Sequence, residues 1–177
     1  MELKKLKIKY KKKEFVIRCL KLSDVNLKYV SALRNEKFLQ TVSENLNVEK
    51  QKKIIKKINR SKFEHIIGFF FRDKLLGTSG FQNLNKKKVN IGIFLFDKKF
   101  LGKDFGKFFI WIASFFMFHF YNKKYFIAGI MKSNLRSIGA FKGAGFKLLN
   151  KKKDSYNYFL KFETKKPNFS QKTKIFF

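Results

Sequence analysis

Phe100-Leu101-Gly102-Lys103-Asp104-Phe105-Gly106-Lys107 sets two glycines four residues apart, between a β-prone run at 89–96 and a long apolar stretch at about 104–120. A strand end that turns into a helix start presents unpaired N–H groups and the positive end of the helix dipole in one direction. Glycine lets a ligand come close to that backbone, so such a turn can cradle a phosphate. Two glycines alone are equally compatible with a plain turn, and what surrounds them decides the reading.

Upstream of the turn, residues 65–71, 75–81 and 89–96 are three apolar, β-prone runs, the first two joined by the polar turn Arg72-Asp73-Lys74. They read as a three-stranded antiparallel meander. Downstream of the helix at 104–120 come a strand at 125–131, a helix at 134–142 and a last strand at 156–162. Upstream, 14–20 alternates like a half-buried strand, Ser23-Asp24 reads as the N-cap of a first helix, and Asn47 as that of a second. The order predicts an α+β, mixed α/β fold with helices flanking one sheet. No repeat or Gly/Pro/Ser-rich linker divides the chain. Residues 1–163 are therefore expected to form one domain, with 164–177 as a loose basic tail and the lysine-rich start as a lead.

The formal net charge is +30. Such an excess suits polyanions. Only Arg18, Arg34, Arg60, Arg72 and Arg136 are arginine, however, and a dedicated nucleic-acid surface favours the guanidinium fork. Abundant Lys, Phe, Ile and Asn together point to compositional drift, and the lysines at 50, 52, 53, 56 and 57 to a solvated helix face. The single cysteine, Cys19, cannot form an internal disulfide and reads as a structural thiol rather than a nucleophile. The apolar stretch 108–121, broken by Ser114 and His119, is too short to span a membrane, and no leader-like segment opens the chain, so the expected location is cytoplasmic with no membrane span. His65 and His119 read as packing residues. No Cys/His cluster has metal-ligand spacing and no Ser-His-Asp arrangement is suggested, so no metal is expected.

Ile91-Gly92-Ile93-Phe94-Leu95 precedes the glycine turn, and Asn134-Leu135-Arg136-Ser137 with Gly143-Ala144-Gly145-Phe146 follows it. With Leu76-Gly77 upstream, the order and spacing over residues 76–146 resemble the coenzyme-binding half of the GNAT acyl-CoA N-acyltransferases. Leu20-Lys21-Leu22-Ser23-Asp24 and Leu33-Arg34-Asn35 extend the resemblance towards the N-terminus. It implies a central, mostly antiparallel sheet flanked by helices, and acetyl-CoA as co-substrate. Gly102, Lys103, Asp104, Phe105, Gly106 and Lys107 would then wrap the coenzyme's diphosphate, while Phe94 and Leu95 pair with the pantetheine arm like an added strand. Asn134 would contact pantetheine and Ser137 lie near the sulfur; read without the resemblance, the two simply cap a helix start.

Two positions depart from the family pattern. Asp104 stands where the family has a glycine; it could cap the helix, and its charge would repel a diphosphate unless Lys103 and Lys107 offset it. Phe141 stands where a tyrosine often protonates the leaving thiolate, so that acid is missing.

The implied reaction is attack of a primary amine on the acetyl thioester, with the oxyanion met by a backbone N–H near Phe94 or Leu95. Something must take the amine's proton. Glu44, in the connection between the first two helices, is the expected base, and Glu64, near the start of the meander, is the other candidate carboxylate. The run from Ser137 to Phe146 resembles branches that acetylate the amino group of nucleotide-linked aminosugars, with protein N-termini as the alternative acceptor. A degenerate acyl-CoA fold that only binds polyanions is the reading from another class. A homodimer is compatible with all three.

Overall fold

The computed structural model describes residues 4–35, 45–102, 104–151, 153–161 and 174–176. Thirteen elements follow in order: β1 (Lys5–Tyr10), β2 (Lys13–Cys19), α1 (Leu27–Arg34), α2 (Val48–Arg60), β3 (Glu64–Phe71), β4 (Lys74–Gln82), β5 (Lys88–Leu95), α3 (Phe105–Tyr121), β6 (Tyr125–Met131), α4 (Leu135–Gly143), β7 (Lys147–Lys151), β8 (Ser155–Lys161) and β9 (Lys174–Phe176). The strands form one sheet ordered β7-β8-β6-β5-β4-β3-β2-β1-β9. Every neighbouring pair is antiparallel except β5 and β6. This is the mixed, mostly antiparallel α/β sheet expected from the pattern.

Helix α3 fills one face of the sheet. It is apolar nearly all round, which suits a helix buried on most sides rather than one lying on a surface. Phe105, Phe108, Phe109, Ile110, Ile112, Phe116 and Met117 are all buried in it. Its rings interlock with the sheet: Phe69 stacks on Phe109 at 4.5 Å, and Phe15 meets Phe109 edge-on at 5.4 Å. Helices α1 and α2 cover part of the other face through Val30, Leu33 and Ile55, packed on Ile66, Phe70 and Phe94. Asn47 caps α2 as expected, accepting from Lys50 N at 2.8 Å.

Three expectations are corrected, and one strand was not expected. The lysine-rich lead contains a strand: Leu6, Ile8 and Tyr10 point inward while Lys5, Lys7 and Lys9 point to solvent. Ser23-Asp24 does not cap α1. That cap is Asn26, accepting from Tyr29 N at 3.0 Å, while Asp24 takes both guanidinium nitrogens of Arg18 at 2.7 and 2.8 Å. Strand β7, every residue exposed, had no burial pattern to betray it. Residues 174–176 of the tail are not loose but pair with β1.

Because Ile8 is fully buried in the main core, Ile8→Ala should lower the unfolding free energy by about 2–5 kcal/mol in urea titrations. A loss below about 0.5 kcal/mol, typical of surface sites, would show that β1 is not part of that core.

Candidate functional site

Strands β5 and β6 run parallel but stay paired only where Lys88, Val89 and Asn90 face Tyr125, Phe126 and Ile127. Beyond Asn90 they part. Residues 91–95 remain paired with β4 on one side; on the β6 side no strand among the described residues takes up their backbone. Gly77 helps to hold this stretch in place, since a Cβ there would press on Leu95 Cα at 2.9 Å.

A cleft of about 940 Å³ opens at the split. Leu101, Gly102, Asp104, Gly106 and Lys107 line one end, Asn134, Ser137, Ala140 and Phe141 the helix α4 side, and Thr78, Gly80, Gln82, Asn90 and Gly92 the opposite sheet face. The first end is the turn singled out in the sequence. Gly102 has φ +72°, a conformation glycine takes without strain. Asp104 also sits at positive φ, 68°, in the N-cap position of α3.

Phe94 and Leu95 lie on the unpaired stretch, Phe94 packed towards α1 and α2 and Leu95 towards α3. The Phe105 ring is buried in the aromatic core, so only its backbone can serve the turn. Gly106 faces Ala140 where α3 meets α4. Asn134 caps α4, its Oδ1 accepting from Ser137 N at 3.0 Å, and both residues line the cleft. Phe141 is buried and lines it too. Lys103 and Glu44 lie outside the described residues.

Asp104 does not cap α3 with its side chain. Its carboxylate instead binds Lys107 at 3.0 Å and Lys11 at 3.4 Å. The hydrogen bond from Lys107, foremost, and the charge of both lysines hold its pKa below the usual carboxylate range.

Other residues of the cleft were not singled out in the sequence. Tyr29 is buried, Gln51 Nε2 lies 3.5 Å from its hydroxyl, and a hydrogen bond links it to Thr78. Burial raises the Tyr29 pKa, so the phenol stays neutral. Thr78 is the cross-strand partner of Phe94, Gly80 of Gly92, and Gln82 of Asn90. Cβ atoms added at Gly80 and Gly92 would meet nothing within 4 Å. The sheet face there is thus bare backbone, edged by amides.

The family model for the acetyltransferase (GNAT) domain matches residues 14–147. The chain belongs to the GNAT acetyltransferase family. It is accordingly an N-acetyltransferase, of a family that uses acetyl-CoA. Among solved structures it is similar to a domain from Methanocaldococcus jannaschii, at 21% identity and TM-score 0.70, covering 85% of this chain and 99% of that one. It is similar as well to spermidine N-acetyltransferase from Vibrio cholerae in complex with CoA and spermine, at 14% identity and TM-score 0.71, over 83% and 95% of the two chains. A third is Campylobacter jejuni N-acetyltransferase PseH in complex with acetyl coenzyme A, at 18% identity and TM-score 0.64, over 83% and 99%. At these identities the likeness is one of fold. No curated protein sequence matches the chain.

Acetyl-CoA fits this GNAT cleft. The turn has open backbone at Gly102, a helix start and nearby lysines, and the released strand offers an edge to an amide-bearing arm. No helix among the described residues is long and apolar enough to cross a membrane.

His65 lies at the lip of the cleft, but its ring turns towards α3. Its Nε2 is 3.0 Å from the Tyr121 hydroxyl and 3.4 Å from Cys19 Sγ. Burial, with the nearby Lys4 charge, lowers its pKa from 6.5 to about 4, and burial pushes the Cys19 thiol up. Neither is poised as base or nucleophile at neutral pH. Between about 4 and 6.5 the unfolded chain binds the proton that folded His65 refuses, so stability must fall as pH drops through that window. Urea midpoints measured from pH 7 to 4 should decline in the wild type and decline less in His65→Gln; equal slopes would mean that His65 titrates normally.

Proposed function

We propose that this GNAT enzyme transfers the acetyl group of acetyl-CoA to the primary amine of a nucleotide-linked aminosugar. The observation that supports this most is the chemistry of the acceptor half of the cleft. Gln82, Asn90, Asn157 and Thr78 surround open backbone at Gly80 and Gly92, and Glu64 is the one carboxylate lining that half among the described residues. Asp104, at the other end, is already bound by two lysines. A polyamine carries several positive charges and calls for several carboxylates, the more so in a chain of net charge +30. Amides and flat backbone suit a hydroxylated ring, and the positive field suits the phosphates that would carry it.

Distances along the sheet support an assignment of roles. Asn90 and Phe94 are four residues apart on one strand, about 13 Å. With the thioester carbonyl at Phe94 and Leu95, an acceptor of that length would set its amine beside Thr78 and extend over the glycines towards Gln82, Asn90 and Glu64. Glu64 then holds the distal part of the acceptor and is too far away to touch the amine. Glu44 remains the proposed base. Ser137 is the group proposed to meet the leaving sulfur, since Phe141 has no proton to give, and Asn134 orients the pantetheine arm. Thr78 and Tyr29, the latter held by Gln51, fix the wall where the amine arrives.

The direct assay is release of CoA thiol with a panel of amines: nucleotide-linked aminosugars, spermidine and a peptide with a free N-terminus. The aminosugar should give the highest kcat/KM. A higher value for the peptide would overturn the acceptor in favour of a protein N-terminus, and no turnover with any amine would leave a polyanion-binding module.

Replacing the base should be as informative. Glu44→Gln should lower kcat/KM by roughly 10²-fold with coenzyme affinity unchanged. A loss under threefold would remove Glu44 from the chemistry, and a roughly 10²-fold loss in Glu64→Gln instead would move the amine to the far end of the cleft.

A further inference from the structure

The turn joining β1 to β2 is made of Lys11 and Lys12, with φ 48° and 61°. It is held firmly against the start of α3. Tyr10 stacks on Phe108 at 4.1 Å and meets Phe105 edge-on at 5.7 Å, and Phe15 packs on Phe105 at 5.8 Å. This packing carries Lys11 across 93 positions of sequence to Asp104. The Asp104 carboxylate thereby gathers two cations from separate elements, Lys11 on one oxygen and Lys107 on the other. It does so without capping the helix on which it sits. Lys11, Asp104 and Lys107 are respectively 43%, 51% and 33% exposed. Exposed ion pairs are weak and exchange easily, so a more highly charged anion arriving at the same turn can take both lysines.

We propose that Lys11, with Lys107, is a ligand of the coenzyme's diphosphate, and that Asp104 is a built-in competing anion that holds both lysines until the coenzyme displaces it. This rests on the coenzyme reading of the turn. It explains how a carboxylate can stand beside a diphosphate site: the charge that would repel the ligand is the same charge that assembles the cations for it. Two lysines offset one aspartate, leaving the turn net positive.

Equilibrium binding of CoA and of dephospho-CoA, which lacks the 3′-phosphate, tests the proposal at low and high salt. Lys11→Ala should weaken both ligands by the same factor, about three- to tenfold at low salt, as for a lost charge-assisted contact. The loss should shrink at high salt. Asp104→Gly should tighten both ligands, and Lys11→Ala should cost more in that background than in the wild type, because the lysine no longer has to leave the Asp104 carboxylate. Lys11→Ala should melt like the wild type, since its ion pair is exposed, and Asp104→Gly no lower than the wild type, since glycine takes the positive φ of that position without strain.

Unchanged affinity in Lys11→Ala, or weaker binding in Asp104→Gly, would overturn the proposal. A loss seen with CoA but not with dephospho-CoA would place Lys11 on the 3′-phosphate and overturn the diphosphate assignment. Failure of the wild type itself to bind either ligand would instead sink the coenzyme reading, a result distinct from all of these.

Discussion

Three residues of parallel pairing between β5 and β6 hold the sheet together, and the loss of that pairing after Asn90 makes the site. Backbone N–H and C=O groups seek partners, so the released edge at 91–95 is a standing demand for a ligand that can bond like a strand. The same parting lets one cleft run from the glycine turn at the head of α3 to the open sheet face beneath α1 and α2. On the proposed reading, coenzyme and acceptor enter this cleft from its two ends and meet near Phe94. Had the pairing continued, the turn at 102–107 would still end a strand and start a helix, but it would lead nowhere.

The composition that makes this chain unusual is divided cleanly between inside and outside. Phenylalanine fills the layer between α3 and the sheet, where Phe15, Phe69, Phe105, Phe108, Phe109 and Phe116 contact one another or the strands. Fully burying such a side chain contributes about 1.5–3 kcal/mol, which offsets the self-repulsion of a chain at +30. Lysine occupies the solvent-facing alternate positions of β1 and the outer face of α2. Few of these lysines need a partner, because water solvates them. Lys11 and Lys107 differ, since packing brings both to Asp104 at the head of α3.

The fold was legible where hydrophobic period and turn chemistry agree. The meander, α3, β6 and α4 fall within a residue or two of their sequence-based bounds, and the glycine turn stands where the spacing put it. Strand β1 was missed because lysines at alternate positions dominate its composition, although Leu6, Ile8 and Tyr10 carry the period of two. Strand β7 has no inward face, so it left no trace. The Asn26 cap was displaced two residues by Ser23-Asp24, which have the same cap chemistry but serve a tight turn and Arg18. On the site, local motifs told only of the coenzyme end. Lys11 reaches Asp104 through tertiary packing, and Thr78, Gly80 and Gln82 of β4 become a wall and floor with Tyr29 only when α1 packs on the sheet. No periodicity in the chain encodes that meeting.

The central claim is that the unpaired edge of β5 and the start of α3 together receive the coenzyme. Amide hydrogen exchange with and without CoA tests it most directly, because the amides concerned are local and assignable. Exchange should slow at residues 94–95 and 104–107 together, with little change in β1–β3 away from the turn. Protection confined to the lysine-rich faces of β1 and α2, with residues 94–95 and 104–107 unaffected, would contradict the account and describe a surface that merely attracts anions.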